Sequence, residues 1–302
     1  MPTRFPPAFD AFVEPARAHS ALWRTLLGFV MIAVLFLTIT VSLSMLLLYL
    51  GERIRPGLGS RLVYDMQTGE SPFGTMALLG ILAMMIPVLA LVLRVLHKRD
   101  LRSVLGPSRR IDKGVWVMSA AIVLALGGAN AALTFATEDV TQQWPVLTWL
   151  PLAALGLVFV LLQTSAEELV FRGYLQQQLA ARFHSRFAWQ VVPSLLFGSM
   201  HWNPATFGDN AWLVVATATL IGLIASDLTY RLGTLSAAMG LHFANNAIVM
   251  VFLNVQGQLS GVSLFLYEQD AKSPETGTGL LISMGAMVLI YGVFLFIHRR
   301  RR

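Results

Sequence analysis

Two carboxylates stand side by side within an apolar run, Glu167 and Glu168, with Arg172 four positions further on. Two later apolar stretches carry Phe197-Gly198-Ser199-Met200-His201 and His242-Phe243-Ala244-Asn245-Asn246. A charged side chain at mid-bilayer costs about 2.5–3.5 kcal/mol on insertion scales, so each of these groups needs a reason to be there. Adjacent carboxylates in a low dielectric cannot both ionise cheaply unless a cation compensates. On a helix Glu168 and Arg172 are i and i+4, share a face and can pair. Glu167 lies about 100° around the helix and is the freer carboxylate. His242 and Asn246, also i and i+4, aim at one place. A glutamate with two histidines could hold catalytic zinc, which takes three protein ligands and a water, although no His-Glu-x-x-His motif is present. A membrane glutamate can also carry a proton for a transporter, the lesser reading here. Asp227 is set apart from this group by Arg231 at i+4, which reads as an interfacial ion pair.

The elements that hold these residues are membrane helices. Of 302 residues, 56% are hydrophobic and 13% charged, whereas a soluble domain carries about 25% charged residues. A crossing helix needs about 20 apolar residues. Eight segments qualify, at roughly 25–50, 73–96, 115–137, 147–175, 188–202, 211–230, 233–254 and 278–298. The fifth is short and contains Pro193. The expected fold is therefore all-α, a polytopic transmembrane helical bundle of about eight spans. With the N-terminus inside, the inner segments collect seventeen Lys and Arg and the outer ones four, a strong positive-inside bias that puts both termini in the cytoplasm. The net charge of +6 follows this topology, so no nucleic-acid role is implied. Cysteine is absent, which excludes disulfides and thiolate metal sites. No internal repeat is evident, which counts against a secondary transporter. Arginine outnumbers lysine nineteen to three, a bias of GC-rich bacterial genomes, so a bacterial inner membrane is expected. We divide the chain into residues 1–113, two spans and a basic loop, and residues 114–302, which hold the polar clusters and a last span.

Depth tests whether the clusters can meet. His201 lies about 13 residues in from the cytoplasmic side, and His242 and Asn246 about 9 and 13, or roughly 14–20 Å. Glu167 lies roughly 14 Å from the same boundary on a helix running the other way. All four reach similar depth.

Glu167-Glu168-x-x-x-Arg172, Phe197-x-x-x-His201 and His242-x-x-x-Asn246, in this order on successive apolar segments, resemble the three motifs of the CAAX-protease and bacteriocin-processing family. These are the Abi-type intramembrane glutamate peptidases, related to the type II CAAX prenyl endopeptidases. The resemblance covers roughly residues 148–250. It implies peptide-bond hydrolysis without a covalent intermediate. Glu167 would be general base on a water, helped by His201. His242 and Asn246 would stabilise the oxyanion, and Glu168 with Arg172 would orient the site. It implies no cofactor, with zinc as the lesser alternative, and a peptide or membrane-protein substrate met in the lipid bilayer. A non-catalytic immunity or scaffold protein of the same fold is the alternative from another class, and a proton-coupled transporter a third.

Overall fold

The computed structural model describes residues 5–257 and 259–300. The helices are α1 (Pro7–Arg17), α2 (Leu22–Ile54), α3 (Leu58–Thr68), α4 (Pro72–His97), α5 (Lys113–Thr137), α6 (Val146–Arg182), α7 (187–199), α8 (Pro204–Leu232), α9 (Ser236–Phe252) and α10 (Pro274–Arg300). The protein is a polytopic helical bundle. Among the described residues six helices, α2, α4, α5, α6, α8 and α10, are long and apolar enough to cross a membrane. Only 11% and 6% of the most apolar stretches of α2 and α10 are buried, so both present their apolar surface outward, as helices facing lipid do.

Six of the roughly eight expected spans meet that length, and the count of eight is not confirmed. Helices α7 and α9 exist, but α7 joins a five-residue π-helical turn to eight α-helical residues. At 1.5 Å per residue that is roughly 20 Å, short of the roughly 30 Å hydrocarbon core. Pro193 falls at the junction of the two parts, where its missing N–H removes a bond to the preceding turn. Helix α9 is also classed among the shorter apolar helices. Helix α9 carries His242, and His201 lies two residues beyond the end of α7.

The loops sort to two ends of the bundle. At one end Thr234 Oγ1 donates to Leu105 O at 3.3 Å, and Gln177 Nε2 donates to Phe12 O at 2.6 Å and Ser103 O at 3.1 Å. At the other end Gly261 N donates to Gly69 O at 3.0 Å, Gln143 N to Leu264 O at 2.9 Å, and Asn210 Nδ2 to Ala271 O at 3.0 Å. The basic stretch 94–113 lies wholly at the first end.

An all-α reading also needs a small amendment, because three short strands form at the second end. They are β1 (Val140–Gln142), β2 (Leu253–Val255) and β3 (Phe265–Tyr267), in the order β1-β3-β2. Val140 pairs with Tyr267 in the antiparallel half and Leu253 with Phe265 in the parallel half. The rings of Phe135 and Phe252 pack on Phe265 at 5.0 and 5.6 Å. Burial, with Glu138 nearby, pushes the Tyr267 hydroxyl above its usual pKa.

Helix α1 sits under the bundle at the basic end. Its Phe9, Phe12, Val13 and Ala16 are buried, an i, i+3, i+4, i+7 stripe that makes one apolar face. Phe9 packs on Trp189 and Tyr230, each at 5.0 Å. The core continues through Phe171, Tyr174, Val92 and Leu93 to the helix that carries the glutamates.

Candidate active site

Helix α6 changes its winding where the carboxylates lie. It is α-helical from Val146 to Glu168, π-helical from Leu169 to Gln176, and α-helical again from Gln177. Such wide turns are rare and concentrate at functional sites. Every residue of the π segment is buried, so this stretch of α6 meets protein on all sides.

Glu168 is 0% exposed. Its Oε1 accepts from Arg172 Nη1 at 2.9 Å and stands 2.8 Å from His242 Nδ1. A ring nitrogen that close to a carboxylate is the protonated one. Nε2 of the same ring then faces Glu167 Oε2 at 3.5 Å. His242 therefore bridges the two glutamates. The Glu167 side chain keeps 13% of its surface against 0% for Glu168, which separates a committed carboxylate from an accessible one. Helix α9 brings His242 here because it lies very close to α5: a Cβ on Gly240 would stand 2.3 Å from Trp116 O.

Arg172 is as buried as its partner. Its guanidinium lies over the Phe197 ring, 4.5 Å from the centroid, a cation–π contact strengthened by desolvation. Room for it is left by Gly222 on α8, where a Cβ would come within 3.1 Å of Nη2 and 2.9 Å of Ser194 Cβ.

Phe197 also joins the histidines. Its ring is 5.1 Å from His201 and 5.9 Å from His242, edge-on to both. His201 is exposed and its Nδ1 lies 3.0 Å from Phe197 O. Nδ1 must donate to that carbonyl, which leaves the lone pair on Nε2. Among the described residues His201 makes no hydrogen bond to either glutamate, so the structure gathers Glu167, Glu168, Arg172 and His242 directly and His201 through Phe197. Asn246 is placed by a residue that the sequence pattern did not single out. Its Nδ2 donates to the buried Gln163 Oε1 at 3.2 Å, and its Oδ1 accepts from Asn245 Nδ2 at 3.1 Å. The available signal was slight: Gln163 is a polar residue one helical turn before Glu167. Asp227, as its spacing suggests, pairs with Arg231 and also accepts from Tyr291 at 2.5 Å. No group of three or more His, Asp or Glu converges in metal-binding geometry among the described residues.

The protein is a multi-pass membrane bundle that buries a Glu-Arg pair against His242. The family resemblance is shown: residues 148–248 match the family model described as Type II CAAX prenyl endopeptidase Rce1-like. Over 300 residues the chain is 23% identical to "Uncharacterized protein YyaK" of Bacillus subtilis (strain 168), covering 97% of this chain and 98% of that one. No solved structure matches the chain.

Proposed function

We propose that the protein is an intramembrane endopeptidase of the CAAX-protease type that uses Glu167 to activate water without a metal. The observation that carries this reading is the division of labour between adjacent glutamates. Glu168 is spent on Arg172 and His242, whereas Glu167 keeps accessible surface beside His242 Nε2.

In this reading Glu167 takes a proton from water as it attacks the scissile carbonyl, and returns that proton to the leaving amine. His201, with its lone pair on Nε2, assists on the open side. His242, held in orientation by Glu168, stabilises the oxyanion as a donor, a role that requires a proton on Nε2 as well as on Nδ1. Asn246 has one N–H committed to Gln163 and keeps the other for the oxyanion. Arg172 balances the charge of Glu168. The substrate is a peptide or a membrane protein that reaches the site within a bacterial inner membrane.

Cleavage by the purified protein in detergent tests this. A panel of farnesylated CAAX peptides and bacterial membrane-protein fragments is read by mass spectrometry. Glu167→Gln is expected to cut activity by about 10²–10⁴-fold, the usual worth of a general base, with no effect of a chelator on the wild type. Activity kept in Glu167→Gln would overturn the assignment.

A further inference from the structure

A cavity of about 870 Å³ opens at the basic end of the bundle, where the end of α4 meets α1 and the loop leading to α5. Arg94, Lys98, Arg99 and Arg109 line it, with Glu14 and Asp100 as the acidic members. The acids do little to neutralise it. Asp100 pairs with Arg109 and caps Ser103 N at 3.2 Å. Among the described residues no carboxylate lies within ion-pair distance of Arg94, Lys98 or Arg99.

Arg99 carries the argument. Its Nη1 donates to Gln177 Oε1, while Nε and Nη2 are buried with no hydrogen-bond partner. Those two nitrogens form one edge of the guanidinium and are closed to solvent, so an anion in the cavity reaches them by displacing the side chains that cover them, and their parallel N–H bonds then fit two of its oxygens. A buried charged donor left unmet is costly. Burial lowers the Arg99 pKa to about 10, still far enough above neutrality for the group to stay cationic. Two further unpaired cations, Arg94 and Lys98, favour phosphate over a singly charged carboxylate. The position suits as well, since the cavity begins in the last turn of a helix long and apolar enough to cross a membrane, and headgroups gather at the ends of such helices.

We propose that this cavity binds a phosphate-bearing anion, gripped side-on by Arg99 and neutralised by Arg94 and Lys98. The phosphate belongs to an anionic phospholipid headgroup or is free in solution. Gln177 also bonds Phe12 O and Ser103 O, so the ligand ties α1, α4 and α6 together and binding stabilises the fold.

The test is thermal unfolding of the full chain in an uncharged maltoside detergent. One arm titrates inorganic phosphate against chloride at equal ionic strength. The other titrates phosphatidylglycerol against diacylglycerol in mixed micelles. A saturable rise in melting temperature is expected in at least one arm: phosphate alone assigns the free ion, phosphatidylglycerol alone the headgroup, and both the shared group. Arg99→Gln should abolish the rise. Because that variant removes a buried side chain, Arg94→Gln and Lys98→Gln, both exposed, serve beside it and should each weaken binding roughly tenfold, the worth of one charge-assisted contact. The site is overturned by the absence of a saturable rise in both arms, by an equal rise with chloride, or by unchanged affinity in the Arg94→Gln and Lys98→Gln variants. No hydrolysis enters the readout, so the result stands apart from the peptidase reading.

Discussion

Glu168 and Arg172 form an ion pair with almost no access to solvent, and such a pair is held less by net attraction than by the cost of breaking it. Removing one partner leaves an uncompensated buried charge. Arg172→Met is therefore expected to destabilise the protein by about 3–5 kcal/mol, measured by denaturant or thermal unfolding in detergent. The double variant Glu168→Gln with Arg172→Met should recover most of that stability and little of the activity, because His242 loses the carboxylate that fixes its Nδ1 proton. A double variant as unstable as Arg172→Met alone would show that the pair is not what holds this region. The pair itself was legible in the sequence, since polar residues stand out in apolar runs and i, i+4 spacing fixes a shared face. The bridging role of His242 was not. Periodicity gives the direction of a side chain but not which of two adjacent carboxylates it meets. Gln163 was invisible for a related reason: one uncharged polar residue in a span is tolerated too easily to be a signal.

At the scale of elements, the site depends on close helix approach. Gly222 is where α8 passes the Arg172 guanidinium and Ser194. Gly222→Ala is expected to cost about 1–3 kcal/mol from overpacking and to lower turnover by displacing Arg172 from the Phe197 ring. Gly128→Ala on α5, where an added Cβ meets nothing within 4 Å, should be neutral or slightly stabilising, since alanine is the better helix former. Equal effects of the two, in melting temperature and in rate, would refute the packing argument. The long helices could be read from hydropathy because lipid-facing surface demands an unbroken apolar run. The π-helical stretches at Leu169–Gln176, Phe187–Val191 and Ile248–Phe252 could not. They change the winding without a distinctive residue type and are sustained by tertiary packing. Helix α1 escaped for a similar reason, since its eleven residues are too few to be stable alone and its stripe of Phe9 and Phe12 has meaning only against Trp189. The strands β1 to β3 are three residues each, and β1 pairs with β3 across more than a hundred positions, beyond the reach of local pattern.

For the whole molecule, the division of the loops between two ends turns the charge bias into a testable topology. The loop 98–112, the start of α1 and the turn at 233–235 meet at one end, and residues 69–71, 140–143, 253–257 and 259–273 meet at the other. The basic end carries the cations that the positive-inside rule assigns to the cytoplasm. Because the chain contains no cysteine, single cysteines report without background. Ser108→Cys probes the basic loop, and Glu70→Cys and Glu268→Cys probe the sheet end, all three positions being exposed. In intact spheroplasts a membrane-impermeant maleimide should label Glu70→Cys and Glu268→Cys at once, and Ser108→Cys only after permeabilisation. The reverse pattern would invert the protein in its membrane and move the phosphate cavity to the outer face. Labelling that splits Glu70→Cys from Glu268→Cys would contradict the two-ended bundle itself, since those loops are joined by the Gly261–Gly69 hydrogen bond. With the predicted orientation, His201 follows a helix that starts at the cytoplasmic end, and the short α7 and α9 hold the site beneath that surface, within reach of a substrate presented from the cytoplasmic leaflet.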